Sequence, residues 1–358
     1  MNLWAVVDTS APLAGFRAPL LTAVVAMTVS WLLTPVVKSF AIQKGAVDNP
    51  KADDRRIHKE PIPRWGGLAI YAGIVVSLFA IMPFAYPHRP FPLYLAGILG
   101  IGGFLAVAGA LDDLHAFSAK IQLAILLFAG VAVQFIADGA GQVQIQGFGA
   151  LLGPGSGWFG LGLLSVPVTA IYIFIVTKTM DTIDGVDGLA AGIAAIAAAT
   201  ISVIATTTVI QTPAARAIAL GNAYQEMPRM ALIAAAVAGS ALGFLRHNYN
   251  PAKIFMGTGG AYVLGFTLAC LSIVGVMKTA AAVALFVPIF AFGVPIFDAF
   301  FVITRRIMSG QPITQADKRH VHHTLLSRGL NQRQTVWVLY AAATVLCAVL
   351  FYVIRTYA

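Results

Sequence analysis

Apolar runs of about 20 residues recur along the chain, at 18–38, 66–85, 92–111, 119–137, 163–180, 189–210, 229–246, 259–277, 280–303 and 335–354. Each is long enough to cross the hydrocarbon core of a bilayer as a helix. About ten such runs predict an all-α polytopic membrane protein, a single integral-membrane domain over 1–358. With both termini on one side, the connections 39–65, 112–118, 181–188, 247–258 and 304–334 fall together on the other. The termini side is thin. There Gln142–Gln146 alternates with period two and runs into a glycine-rich stretch, 147–162, which predicts a short outer β-hairpin.

Composition sharpens this picture. The chain is 59% hydrophobic and 10% charged, far from a soluble protein. Its charge of +9 is sorted by side: 17 of the 23 Lys and Arg fall with the five connections and six fall opposite. By the positive-inside rule those connections are cytoplasmic. Eleven of the 14 acids lie on the same side. Topology does not explain that, because acids contribute little to orientation. The cytoplasmic face is therefore expected to carry the chemistry. Basic residues interleaved with acids in short loops do not make a nucleic-acid surface. A transporter would gather its polar residues near the midplane rather than on one face. Cys270 and Cys347 sit in apolar runs and imply no disulfide framework. Residues 1–15 lack a basic n-region, so the first span is expected to act as its own insertion signal.

The densest polar stretch is Asp181-Thr-Ile-Asp184-Gly-Val-Asp187-Gly188, set between two hydrocarbon runs. If helical, carboxylates at i, i+3 and i+6 stay roughly on one face. Oxygen ligands at this density suit a hard cation such as Mg²⁺, with Mn²⁺ also admitted. The EF-hand pattern fails, since the ligands do not alternate and no Glu closes a twelve-residue loop. A solvated loop capping two helices is the plainer alternative. Asp112-Asp113 ends another span, with Lys120 opening the next. Adjacent acids project about 100° apart on a helix, so they should have different tasks. Acids also oppose the dipole at a helix C-terminus, which makes them poor terminators.

Three further loops are candidates. Arg55, Arg56, His58 and Lys59 precede Pro61-x-Pro63-Arg64-x-Gly66-Gly67 and suit phosphate, although basic residues alone also fit an ordinary cytoplasmic loop. Asn250-Pro-Ala-Lys253-Ile-Phe-Met-Gly257-Thr258-Gly-Gly allows close backbone approach to a ligand, or tight helix packing. Asp298 lies inside an apolar run and must face protein. Beyond it come Arg305-Arg306 and Asp317-x-x-His320-x-His322-His323. Zinc is one reading of the histidines; contacts to phosphate or sugar are the other.

These five motifs, in this order and on one side, closely resemble the polyprenyl-phosphate N-acetylhexosamine-1-phosphate transferases of glycosyltransferase family 4. The resemblance runs from about Asp48 to Leu330. It implies transfer of a sugar 1-phosphate from a UDP-N-acetylhexosamine to polyprenyl phosphate, with release of UMP, in a bacterial plasma membrane. His-x-His-His looks like the N-acetylglucosamine branch, which starts O-antigen, teichoic acid or related glycans. The resemblance implies Asp112, Asp113, Asp184 and Asp187 as catalytic residues. It implies substrate contacts from Arg55, Arg56, His58, Lys120, Lys178, Asn250, Lys253, Arg305, Arg306, His320, His322 and His323. Asp112, Asp181, Asp184 and Thr258 are the candidate Mg²⁺ residues, and a homodimer is left open. Three positions depart from the family pattern: Lys178 and Asp181 stand where it has Asn, and Thr258 where it has Asp. A charge-conserving swap, with a carboxylate lost at 258 and gained at 181, would keep the metal site. Lys178 would then be a phosphate ligand or the internal partner of an acid. The competing reading is a catalytically degenerate homologue.

Overall fold

In the computed structural model, residues 14–48, 61–87, 91–139, 141–148, 159–212, 222–276 and 321–357 are described, with the isolated positions 293 and 304. The helices are α1 (Arg17–Gln43), α2 (Gly66–Ala85), α3 (Leu93–His115), α4 (Ala119–Ala132), α5 (Ser165–Ile183), α6 (Leu189–Gln211), α7 (Asn222–Asn248), α8 (Gly257–Leu271), α9 (Val321–Ser327) and α10 (Gln332–Tyr357). Among the described residues, eight helical segments are long and apolar enough to cross a membrane, and Ala119–Phe135 is a shorter apolar helix. The chain is thus an all-α polytopic membrane protein. The run at 280–303 lies outside the described residues.

The threonine hydroxyls of α5 are satisfied within the helix, as hydrocarbon favours. In α5, Thr169, Thr177, Thr179 and Thr182 each donate to the carbonyl four residues earlier. α7 and the α8 segment form the centre, with 83% and 89% of their most apolar windows buried. α1 and α10 lie outermost, at 22% and 28%. Central helices apolar on all sides need neighbours on all sides. α8 meets α3 and α5, while α7 meets α1, α2 and α6.

Small residues set the closest approaches. A Cβ on Gly67 would lie 2.2 Å from Gly260 N, and one on Gly109 would lie 2.2 Å from Gly259 N. α2, α3 and α8 therefore touch backbone to backbone, one turn before Asp113.

Two short antiparallel pairs mark opposite ends of the bundle. β1 (Val47–Asp48) pairs with β2 (Ile62–Pro63) on the acid-rich side. β3 (Gly147–Phe148) pairs with β4 (Phe159–Gly160) on the other. The outer pairing lies in the glycine-rich stretch and is continued by Leu161 N–H donating to Gln146 O at 2.9 Å. The residues before Gln146 bond elsewhere: Ile145 N–H donates to Thr169 Oγ1 at 2.9 Å, and Gln142 Nε2 donates to Gln134 O at 3.0 Å. Two helices also outrun the apolar pattern. α3 continues to His115 and α5 to Ile183, so Asp112, Asp113 and Asp181 are helical.

Candidate active site

Local backbone geometry builds the acid-rich end. Trp65 takes a left-handed conformation (φ 79°) before α2, and its Nε1 donates to Ala110 O on α3 at 2.9 Å. The first α2 amides, otherwise without helical partners, donate outward: Gly66 N to Phe255 O at 3.0 Å and Gly67 N to Met256 O at 2.8 Å. Phe255 N donates back to Pro63 O at 2.8 Å. The 62–67 loop, which carries Arg64, and the 253–258 loop are thereby clamped together.

Asp113 occupies the centre of this clamp, its side chain 1% exposed. Its Oδ1 accepts from Thr258 N at 3.2 Å and Thr258 Oγ1 at 3.3 Å, and faces Arg64 Nη1 at 3.3 Å. Arg64 Nη2 also reaches Asp48 Oδ1 at 2.5 Å. Asp113 Oδ2 is buried with no hydrogen-bond partner among the described residues. Gly257 (φ +70°) lies against it; a Cβ there would fall 2.2 Å from Oδ2. Only glycine accommodates both that backbone and that approach.

Asp112 turns the other way. Its Oδ1 accepts from Phe117 N at 2.6 Å, closing the α3–α4 turn, and its Oδ2 accepts from Gln122 Nε2 at 2.9 Å. Gln122 Oε1 accepts from Lys178 Nζ at 2.8 Å, and Lys178 Nζ also meets Asp181 Oδ2 at 2.7 Å. α5 stops at Ile183, so Asp184 and Asp187 leave the helical face that Asp181 occupies. Protein atoms crowd the partly accessible Asp184. That burial, then the Asp181 and Asp113 carboxylates, pushes its pKa well above the usual carboxylate range. Asp187 Oδ2 accepts from Asn250 Nδ2 at 2.9 Å and Ala252 N at 3.0 Å, shaping the turn before α8.

The structure therefore brings Asp112, Asp113, Lys178, Asp181, Asp184, Asp187, Asn250 and Thr258 to one end of the bundle. Lys120 and Lys253 are exposed there. Arg55, Arg56, His58, Arg305, Arg306 and His320 lie outside the described residues, as do the side chains of His322 and His323. Arg64 and Gln122 were not singled out as site residues from sequence. Arg64 had a signal, its place between Pro63 and Gly66-Gly67; a single Gln within an apolar helix has none.

A hard cation is compatible with these groups. Asp113 Oδ2 is a buried oxygen with no donor among the described residues, and burial and the nearby Asp181, Asp113 and Asp187 carboxylates disfavour the charged form of Asp184, a penalty that a cation would relieve. Among the described residues, no three His, Cys, Asp or Glu side chains form a ready ligand group. Mg²⁺ commonly takes one or two carboxylates and completes its shell with water and substrate phosphates.

The glycosyl transferase family 4 model matches residues 95–276. A probable undecaprenyl-phosphate N-acetylglucosaminyl 1-phosphate transferase of Bacillus subtilis is 36% identical over 318 residues, 88% of this chain and 80% of that protein. A decaprenyl-phosphate N-acetylglucosaminephosphotransferase of Mycobacterium tuberculosis is 29% identical over 342 residues, covering 89% and 78%. An undecaprenyl-phosphate alpha-N-acetylglucosaminyl 1-phosphate transferase of Yersinia pestis is 26% identical over 317 residues, covering 88% and 78%.

Proposed function

The chain belongs to glycosyl transferase family 4, and we propose that it transfers N-acetylglucosamine 1-phosphate from UDP-N-acetylglucosamine to a polyprenyl phosphate. An oxygen of the lipid phosphate attacks the sugar-bearing phosphorus of the donor. The bond from that phosphorus to the bridging oxygen breaks, and UMP leaves with the bridging oxygen. The product is a lipid-linked sugar diphosphate that starts a cell-envelope glycan. The reaction lies on the cytoplasmic face, a reading supported by the 17 basic residues assigned to that side.

The observation that carries the proposal is Asp113: one oxygen held by Arg64 and Thr258, the other buried and without a partner among the described residues. Phosphoryl transfer between two anions needs positioning and charge compensation more than covalent chemistry. Arg64 and Thr258 fix Asp113 so that Oδ2 is left to take a proton from the lipid phosphate or to help hold a cation. Asp112 closes the turn carrying both acids. Asp187 shapes the Asn250–Ala252 turn through two bonds on one oxygen. Asp113 and Asp184 are the residues that would hold Mg²⁺, which when bound would offset phosphate charge and polarise the phosphoryl oxygens.

Donor identity is tested with purified protein in detergent, undecaprenyl phosphate and a panel of UDP-hexosamines. The lipid product is identified by mass. Selective product from UDP-N-acetylglucosamine supports the proposal. Selective product from another UDP-hexosamine overturns the sugar assignment and keeps the reaction.

A further inference from the structure

Gln122 joins three helices through one amide. Its oxygen accepts from Lys178 Nζ on α5 at 2.8 Å, and its nitrogen donates to Asp112 Oδ2 on α3 at 2.9 Å. The reversed amide would set NH₂ against an ammonium and oxygen against a carboxylate, two repulsive contacts. Lys178 thus fixes the orientation of Gln122, and Gln122 in turn fixes Asp112.

Lys178 is held twice, by Gln122 and by Asp181 Oδ2 at 2.7 Å, yet its side chain is still 37% exposed. An ammonium carries three N–H donors. Two are engaged here, and no described residue accepts the third. A long side chain normally loses rotamer freedom when it binds a ligand. Here two protein bonds have already fixed it.

We propose that Gln122 and Asp181 hold Lys178 as a preorganised ligand for a substrate phosphate oxygen, with Gln122 as a positioning residue. The proposal rests on the reading of this end of the bundle as the transfer site. The phosphate has two sources, the diphosphate of the donor and the headgroup of the lipid acceptor. The shared chemistry is an anionic phosphate oxygen meeting a charged donor.

The test uses the full chain in detergent and two ligand pairs differing only in phosphate: UDP against uridine, and farnesyl phosphate against farnesol. Lys178→Ala should weaken UDP or farnesyl phosphate by about tenfold or more, the scale of a hydrogen bond to a charged group. Uridine and farnesol should bind as before. Which pair responds identifies the phosphate source. Lys178→Arg should restore most of the loss. Gln122→Ala should reproduce part of it, and the double variant should bind no worse than Lys178→Ala alone, the signature of residues acting as a unit. Gln122→Glu, which keeps the bond to Lys178 but repels Asp112, provides a second positioning variant and should also weaken the responding phosphate. The proposal is overturned if Lys178→Ala binds both phosphates like wild type. It is also overturned if Gln122→Ala weakens uridine and UDP equally, or if the two single losses simply multiply. A wild type that prefers neither phosphate ligand overturns it too. Wild type that shows the Lys178-dependent preference but transfers no sugar ends the transferase reading and leaves this inference standing.

Discussion

Arg64 uses two nitrogens on two acids, Nη2 on Asp48 at 2.5 Å and Nη1 on Asp113 at 3.3 Å. Arg64→Gln removes the charge beside a carboxylate whose side chain is 1% exposed. Breaking a fully buried pair by removing one partner costs about 3–5 kcal/mol. Arg64 itself is 29% exposed, so water screens part of the attraction. The discounted cost is about 1–3 kcal/mol, and expressed at the transition state it is roughly a ten- to hundredfold fall in transfer rate. Arg64→Lys should lose less, because an ammonium can meet one acid well but lacks the planar fork that spans both. The assay is the initial rate of lipid-linked product at saturating donor, with thermal unfolding in the same detergent. An Arg64→Gln enzyme within about twofold of the wild-type rate, a difference of less than 0.5 kcal/mol or so, would refute the reasoning.

Three other perturbations follow from the same geometry. Gly109→Ala places a methyl 2.2 Å from Gly259 N, a backbone atom that cannot rotate away; overpacking of about 1–3 kcal/mol should lower the unfolding midpoint and the rate together. Asp187→Ala removes the acceptor for Asn250 Nδ2 and Ala252 N; limited proteolysis should cut faster near residue 251, and activity should fall about tenfold. Thr258→Asp replaces a hydroxyl donor to Asp113 with a second carboxylate; a fall in rate of about tenfold is expected from like-charge repulsion, and a gain would contradict the arrangement described for Asp113.

The helices were legible because hydrocarbon length is a strong signal, and the β3–β4 pairing lay in the glycine-rich stretch assigned to a hairpin. Their ends were less so. Apolar periodicity stops where polar residues begin, yet α3 and α5 carry their acids on a last helical turn. The candidate acids were visible as an excess of charge in an apolar chain. Their partners were not, because Arg64 and Asp113 are 49 residues apart and Asn250 and Asp187 are 63 apart. The divergence of Asp112 and Asp113 follows from the helical angle between neighbours. The common face for Asp181, Asp184 and Asp187 did not form, because the helix ends at Ile183 and Asp187 turns to the 250–252 loop. Lys178 had two readings in sequence, and the structure shows it beside an acid, Asp181. Asp181 Oδ2 is thus ion-paired with Lys178, one turn before Asp184. The histidine motif and the 280–303 span lie outside the described residues.

Asp113 offers the most direct test of sugar-phosphate transfer at this end of the bundle. Transfer of labelled N-acetylglucosamine 1-phosphate from UDP-N-acetylglucosamine to undecaprenyl phosphate should be followed for wild type and Asp113→Asn across a Mg²⁺ titration, with EDTA as the zero point. Wild type should give Mg²⁺-dependent lipid product and UMP in equal amounts. Asp113→Asn should fold normally, bind uridine as before and turn over slower by about a hundredfold or more. An Asp113→Asn enzyme with wild-type turnover and the same Mg²⁺ dependence would contradict this role for Asp113.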